Sequence, residues 1–240
     1  VPGVEVTDES ALAAAYAQSC GLEHKIVEIF WEDIFACTPK LMLYKGMPVH
    51  SIEAQIYKAA KQAQKDGFNT LIFGESADAN YGGLNGLLSK DWEIGAFSDR
   101  YWFVKPYYVL KNPVTILTPF LPYLSDGKID VHDFMRQSFY LESMSSYTNA
   151  CDFAGIQLEA PYARTYMGPP LDLARIRSGE SKYWVREIFK RLYPGFEIPP
   201  KRPMPRATNE WLKQWNGPTR PEFWPHCTDS ITGDQKWLVY

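Results

Sequence analysis

In the first half of the chain, apolar positions switch between helical spacing and short unbroken runs. Ile52, Ile56 and Ala59/Ala60 recur at helical intervals behind Ser51, a residue type that caps helices, and Gly67 suits the position just past the end. A second helix is predicted from about Trp31 to Leu43. Upstream, Thr7-Asp8-Glu9 is a good helix start, Ala11 to Ala17 has high helical propensity, and Gly21 fits the residue beyond its end. Between these lie His24-Lys25-Ile26-Val27-Glu28-Ile29 and Thr70-Leu71-Ile72-Phe73. Both are too short for helices, and their apolar, β-branched content predicts strands. Helices alternating with short apolar strands argue for an α/β fold: a parallel sheet with crossover helices.

After about Trp92 the strand patterns thin out. Val131 to Met144 reads as a helix capped by Asp130, with Val131, Phe134, Met135 and Phe139 on one face. Leu171 to Arg177 and Ser181 to Leu192 also read as helices. Pro-rich stretches, Tyr193 to Pro205 and Gly217 to Pro225, should be irregular. The expected organisation is an α/β portion over residues 1–95 that carries the ligand-binding edge. A mostly helical portion over 96–240 closes the cleft.

Composition narrows the function classes. The 240 residues are 45% hydrophobic, ordinary for a chain with a sizeable core, and a net charge of −3 gives no electrostatic case for nucleic acid or an anionic membrane. No apolar run is long enough to span a bilayer, and no N-terminal export signal is visible. Cys20, Cys37, Cys151 and Cys227 form no C-x-x-C pair, so reduced cytoplasmic thiols, mostly buried, are expected. His226 beside Cys227 has no further spaced ligands and is a weak metal signal. Aromatic residues make up 15% of the chain, consistent with a core built from large side chains.

The most informative stretch is Glu75-Ser76-Ala77-Asp78-Ala79-Asn80-Tyr81-Gly82-Gly83. It follows Gly74, which breaks the Thr70–Phe73 strand, and so sits at the carboxyl end of a strand, where open α/β sheets bind ligands. Two carboxylates there can hold magnesium, which takes hard oxygen ligands and shares them with substrate phosphates. Acidic residues after a strand also serve simply to cap the next helix. Gly82-Gly83 allows a sharp turn or close backbone approach.

Placed in order, these pieces resemble the synthetase domain of asparagine synthetases and their β-lactam synthetase relatives. Asp8-Glu9 followed by Ala14, then Gly21 to Ile29, is similar to that family's acidic helix start and G-x-E-H strand. Phe73 to Gly83 resembles its S-G-E-G-x-D-E-x-x-G-G. Ser181-Lys182-Tyr183-Trp184-Val185-Arg186-Glu187 resembles its K-x-x-L-R-E helix, and Lys201 to Trp211 its R-x-K-x-x-F segment. The resemblance implies a PP-loop-like (HUP) nucleotide-binding fold in residues 1–95. It also implies an enzyme that binds ATP and magnesium, adenylates a small-molecule carboxylate, and lets an amine or ammonia displace AMP. Ammonia would come from a glutaminase domain or subunit. By position, Asp78 would hold the metal and Glu75 would help activate the amine. Lys182 would stabilise transition-state charge. Arg186 would fix its helix or contact phosphate, and Phe73, Gly74 and Glu75 would border the nucleotide.

Departures from the pattern shape the substrate expectation. The family's S-G-G-x-D-S phosphate loop is absent from the sequence and is expected upstream of Val1. Its D-E-P is here Gly46-Met47-Pro48, and its E-V-R-x-P-F-L-D corresponds to Gln157 to Arg164 with charges exchanged. Losing acids weakens recognition of a substrate ammonium, so free aspartate is expected to be a poor substrate and a bulkier carboxylate a better one. Two other readings remain open. One is a degenerate, non-catalytic binding module of the same fold. The other is a different ATP pyrophosphatase, such as a sulfur-transfer or tRNA-modifying enzyme.

Overall fold

The computed structural model describes residues 9–198 and 208–240. In chain order the elements are α1 (Ser10–Ser19), α2 (Trp31–Lys45), α3 (Glu53–Lys65), β1 (Thr70–Ile72), α4 (Ala77–Asn80), β2 (Trp92–Glu93), α5 (Ile94–Tyr101) and α6 (Pro106–Val109). Then come β3 (Leu124–Ser125), β4 (Lys128–Ile129), α7 (Val131–Phe134), α8 (Tyr140–Ala154), β5 (Gln157–Glu159), α9 (Leu173–Arg177), α10 (Tyr183–Leu192), α11 (Thr208–Trp211) and α12 (Gly233–Val239). A π-helical turn, Met135–Phe139, joins α7 to α8. The result is a mixed α/β chain, mostly helical, with a small parallel strand pair. No helix among the described residues is long and apolar enough to cross a membrane.

The parallel pair is β1 with β5, in the register Thr70↔Gln157, Leu71↔Leu158 and Ile72↔Glu159. It is backed by α3 and α8, where Ile56 and Ala60 pack on Ala150, Cys151 and Ala154. The helical stripe read from Ile52, Ile56 and Ala60 is thus the buried face. That helix starts later than Ser51: Ile52 occupies the cap position and Ser51 is buried.

His24–Ile29 is not a strand. Strands exist by pairing backbone groups with a neighbour, and among the described residues none lies alongside it. Its side chains are mostly exposed, with Ile26 at 62%. A three-stranded antiparallel sheet, ordered β2-β4-β3, was not expected in the second half. Its hairpin turns through Asp126 (φ 49°) and Gly127 (φ 76°), both left-handed, as a two-residue hairpin turn requires. The helix expected to end at Met144 continues to Ala154, where Gly155 closes it with φ 77°. Asp130 caps α7 as expected, its Oδ1 accepting from the Asp133 amide at 2.9 Å. Thr7 and Asp8, and residues 201–207 of the Lys201–Trp211 segment, lie outside the described residues.

Only part of the aromatic excess goes into the core, and among the described residues more aromatic side chains are exposed than buried. Phe97, Phe120 and Phe134 are almost fully buried, and their rings meet edge-on or tilted at 5.3–5.5 Å between centroids. That cluster also holds Ala79, Ile176 and Tyr183, so the same core seats the short helix α4, α9 and the start of α10.

Candidate active site

The acidic loop begins where β1 stops pairing. The Phe73 amide donates to the Glu159 carbonyl at 2.8 Å, extending the β1–β5 ladder by one bond. The Phe73 ring packs edge-on against Tyr147, centroids 5.0 Å apart. Gly74 is exposed, and a Cβ there would meet nothing within 4 Å. Glu75 is half-buried and accepts from Ser143 Oγ of α8 at 2.7 Å.

Ser76 follows in the left-handed region, φ 73°, and is only 2% exposed. Its Oγ has no hydrogen-bond partner among the described residues. Non-glycine residues held there cost on the order of 1–3 kcal/mol, and such strain collects at functional sites. A buried unpartnered hydroxyl adds a desolvation cost of similar size. Both features occupy one residue between the two carboxylates.

Asp78 lies in the single turn of α4, its carboxylate partly exposed. Its Oδ1 stands 3.0 Å from Lys182 Nζ, with the two side chains 38% and 24% exposed. Lys182 is itself left-handed, φ 51°, at the cap position of α10. An ion pair this exposed contributes about 0–1 kcal/mol, so the lysine can leave Asp78 for another anion at small cost.

Gly83 completes the loop. Its amide donates to the Asp78 carbonyl at 2.8 Å, and a Cβ at this position would lie 1.7 Å from Asp78 Oδ1 and 2.7 Å from Asp78 Cα. Gly83→Ala must therefore displace Asp78. We expect it to destabilise the protein by about 1–3 kcal/mol, measured by urea unfolding, and to break the Lys182 contact.

The remaining loop contacts are scaffolding. Asn80 Nδ2 donates to the carbonyls of Tyr162 (2.7 Å) and Thr165 (3.2 Å), and the Tyr81 hydroxyl donates to Thr165 Oγ1 at 2.7 Å. His132 Nε2 lies 3.4 Å from the Asn80 carbonyl, and burial holds its pKa below the usual histidine value. Arg186 Nε donates to the Ser181 carbonyl at 3.0 Å, bracing the left-handed entry into α10. Glu159 and Arg164 pair with each other at 3.0 Å, so the exchanged charges of that segment largely cancel.

The structure thus joins Asp78 to Lys182 across about a hundred residues of sequence and places Glu75 on the same loop. Arg186 stands one turn along α10 from Lys182. Pattern reading missed Ser143, the partner of Glu75, and nothing local in the sequence marks it. Ser76 and Asn80 fall inside the acidic motif, and their roles needed the fold.

No group of three or more His, Cys, Asp and Glu side chains gathers among the described residues to form a metal cage. Magnesium does not need one. It binds through one or two carboxylates and completes its octahedron with water and phosphate oxygens. A single partly exposed carboxylate beside an orphaned buried hydroxyl fits that requirement, with Asp78 as the residue that would hold the ion.

A family model described as asparagine synthase matches residues 3–167. That span is more than half of the chain and includes the whole acidic loop, while Lys182 and Arg186 lie beyond it. No curated protein and no solved structure matches the chain.

Proposed function

The chain belongs to the asparagine synthase family, and from that premise we propose that it is an ATP- and magnesium-dependent ligase of PP-loop type. It adenylates a small-molecule carboxylate, and an amine then forms an amide or related C–N bond. In the first step a carboxylate oxygen attacks the α-phosphorus of ATP and pyrophosphate leaves. In the second the amine nitrogen attacks the acyl carbon and AMP leaves. The observation that carries the reading is the Asp78–Lys182 contact at 3.0 Å. It brings the carboxylate proposed to hold the metal and the cation proposed to neutralise charge together from two distant motifs.

Each side chain then has work matched to its chemistry. Displacement at phosphorus is catalysed by positioning and by neutralising spreading negative charge. Asp78 would hold magnesium, which would supply part of that charge, and Lys182, released from its weak pair, would supply more. Arg186 positions Lys182 by bracing the Ser181 carbonyl. Glu75 accepts the proton that the attacking amine must lose, and Ser143 keeps its carboxylate oriented. The Phe73–Glu75 backbone borders the nucleotide. In this reading residues 1–95 are the nucleotide-binding portion and 96–240 close over it in the cytoplasm. The amine is ammonia or a small amine, with a glutaminase domain or subunit as an ammonia source.

The test is magnesium-dependent exchange of labelled pyrophosphate into ATP by the full-length chain, across a panel of carboxylates. Exchange with any of them supports the ligase. Failure to bind ATP at all would instead favour a non-catalytic binding module.

Gly74 offers a sharper local check. A side chain there meets open space, so Gly74→Val should leave the unfolding midpoint essentially unchanged. If the nucleotide lies over this backbone, the same variant should weaken ATP binding by about tenfold or more, because protruding methyl groups deny the close approach that glycine permits. Calorimetric titration with ATP reads this directly, and wild-type affinity would remove Gly74 from the site.

A further inference from the structure

A cavity of about 510 Å³ opens between α1 and α10, beside Lys182. This lies within the roughly 300–1,000 Å³ typical of small-molecule sites. Its walls are apolar and aromatic: Tyr16, Val185, Phe189 and Phe196 face it, together with the basic side chains Lys182 and Arg186. Tyr16 and Phe196 stack at 5.4 Å, and the Tyr16 hydroxyl donates to the Glu197 carbonyl at 2.7 Å, so that ring is fixed and its polar end satisfied. The walls are therefore mostly rigid rings and apolar surface, and the side at Lys182 and Arg186 borders the Asp78–Lys182 pair.

We propose that this cavity binds the aromatic body of the substrate, an aryl-bearing carboxylate whose charged end lies at Lys182 and Arg186. The proposal rests on the ligase reading of the same site and names its substrate class. The argument is one of complementarity. An apolar cleft of this size filled only by a small polar acid keeps its walls wetted and gains little from them. A neutral aromatic molecule forfeits both cations. A molecule with a flat ring and a carboxylate uses both walls and delivers its oxygen to the lysine that neighbours the metal-holding acid. The paired Glu159 and Arg164, which offer a substrate ammonium little net charge, fit the same preference for a substrate without one.

Cys20 lines this cavity and is the exposed cysteine of the four. Cys37 is half-buried and Cys151 buried, and burial pushes both thiols up to about 11. Cys227 is also buried. Cys20 should therefore alkylate first and report occupancy without any catalysis.

The experiment measures Cys20 alkylation by iodoacetamide, read by peptide mass spectrometry on the full-length chain, with 3-indolepropionate as probe. Saturating probe is expected to slow alkylation at least tenfold. Its amide should need at least tenfold higher concentration, and aspartate should give no protection. Val185→Trp, which fills the cavity, should abolish protection, and Phe189→Ala should weaken it if the larger substitution misfolds. No protection by the indole acid, or equal protection in both variants, overturns the proposal. Pyrophosphate exchange on the same samples separates the two claims. Protection without exchange keeps the subsite and removes the ligase. Exchange driven by aspartate without protection keeps the ligase and removes the subsite.

Discussion

Asp78→Asn is expected to lower magnesium-dependent pyrophosphate exchange by at least 10²–10³-fold, on the order found when one preorganised electrostatic group is removed from an active site. The substitution is nearly isosteric and keeps an oxygen toward Lys182. It removes the charge that would hold the ion. Asp78 is partly exposed and its ion pair with Lys182 is weak, so the unfolding free energy should change by less than about 1 kcal/mol. A parallel measurement of exchange and urea unfolding therefore separates a chemical role from a structural one. Undiminished exchange in a folded variant would sink the assignment.

The largest effect on stability is expected at Glu53. This side chain is fully buried, unusual for a glutamate, and its carboxylate is satisfied from three directions. Lys45 Nζ and the His50 amide approach Oε1 at 2.6 Å each, and Asn149 Nδ2 donates to Oε2 at 2.5 Å. Glu53→Ala would strand the Lys45 ammonium, itself 10% exposed, and unpair two donors. Breaking one side of such a network costs about 3–5 kcal/mol, a large share of the roughly 5–15 kcal/mol that holds a domain together. Lys45→Met combined with Glu53→Leu should recover part of the loss, because no lone charge is left buried. Urea midpoints of the single and double variants check both statements. A Glu53→Ala variant within about 1 kcal/mol of wild type would show that the Lys45 ammonium left behind is solvated, and would overturn the expectation.

What the sequence disclosed follows a physical division. Contacts between residues a few positions apart leave local traces, so α3 was readable from its apolar spacing and the Asp130 cap from its residue type. The Asp126-Gly127 hairpin was equally local, and its turn signal was present; the flanking strands, two residues each, are too short to carry a period. His24–Ile29 failed for the opposite reason. It has a strand's composition, yet composition cannot supply the neighbouring backbone that makes a strand. β5 became visible only once β1 stood beside it. At the site, Glu75 and Asp78 were legible as a loop motif after a strand. Lys182 came from motif order, since its contact with Asp78 spans the core. Ser143 was illegible because a serine on a helix looks the same whether it faces solvent or a carboxylate.

The π-helical turn at Met135–Phe139 has a consequence for how this molecule tolerates change. A helix advances about 100° per residue, and a π turn carries one residue beyond the α-helical count. Everything after it on α8 is rotated by that step. Ser143 reaches Glu75 from the rotated portion, and so does Asn149, which reaches Glu53. One local irregularity thus sets the phase of two polar anchors, one belonging to the proposed chemistry and one to stability. The two properties share a single gear, and insertions or deletions along these five residues cannot retune one without turning the other.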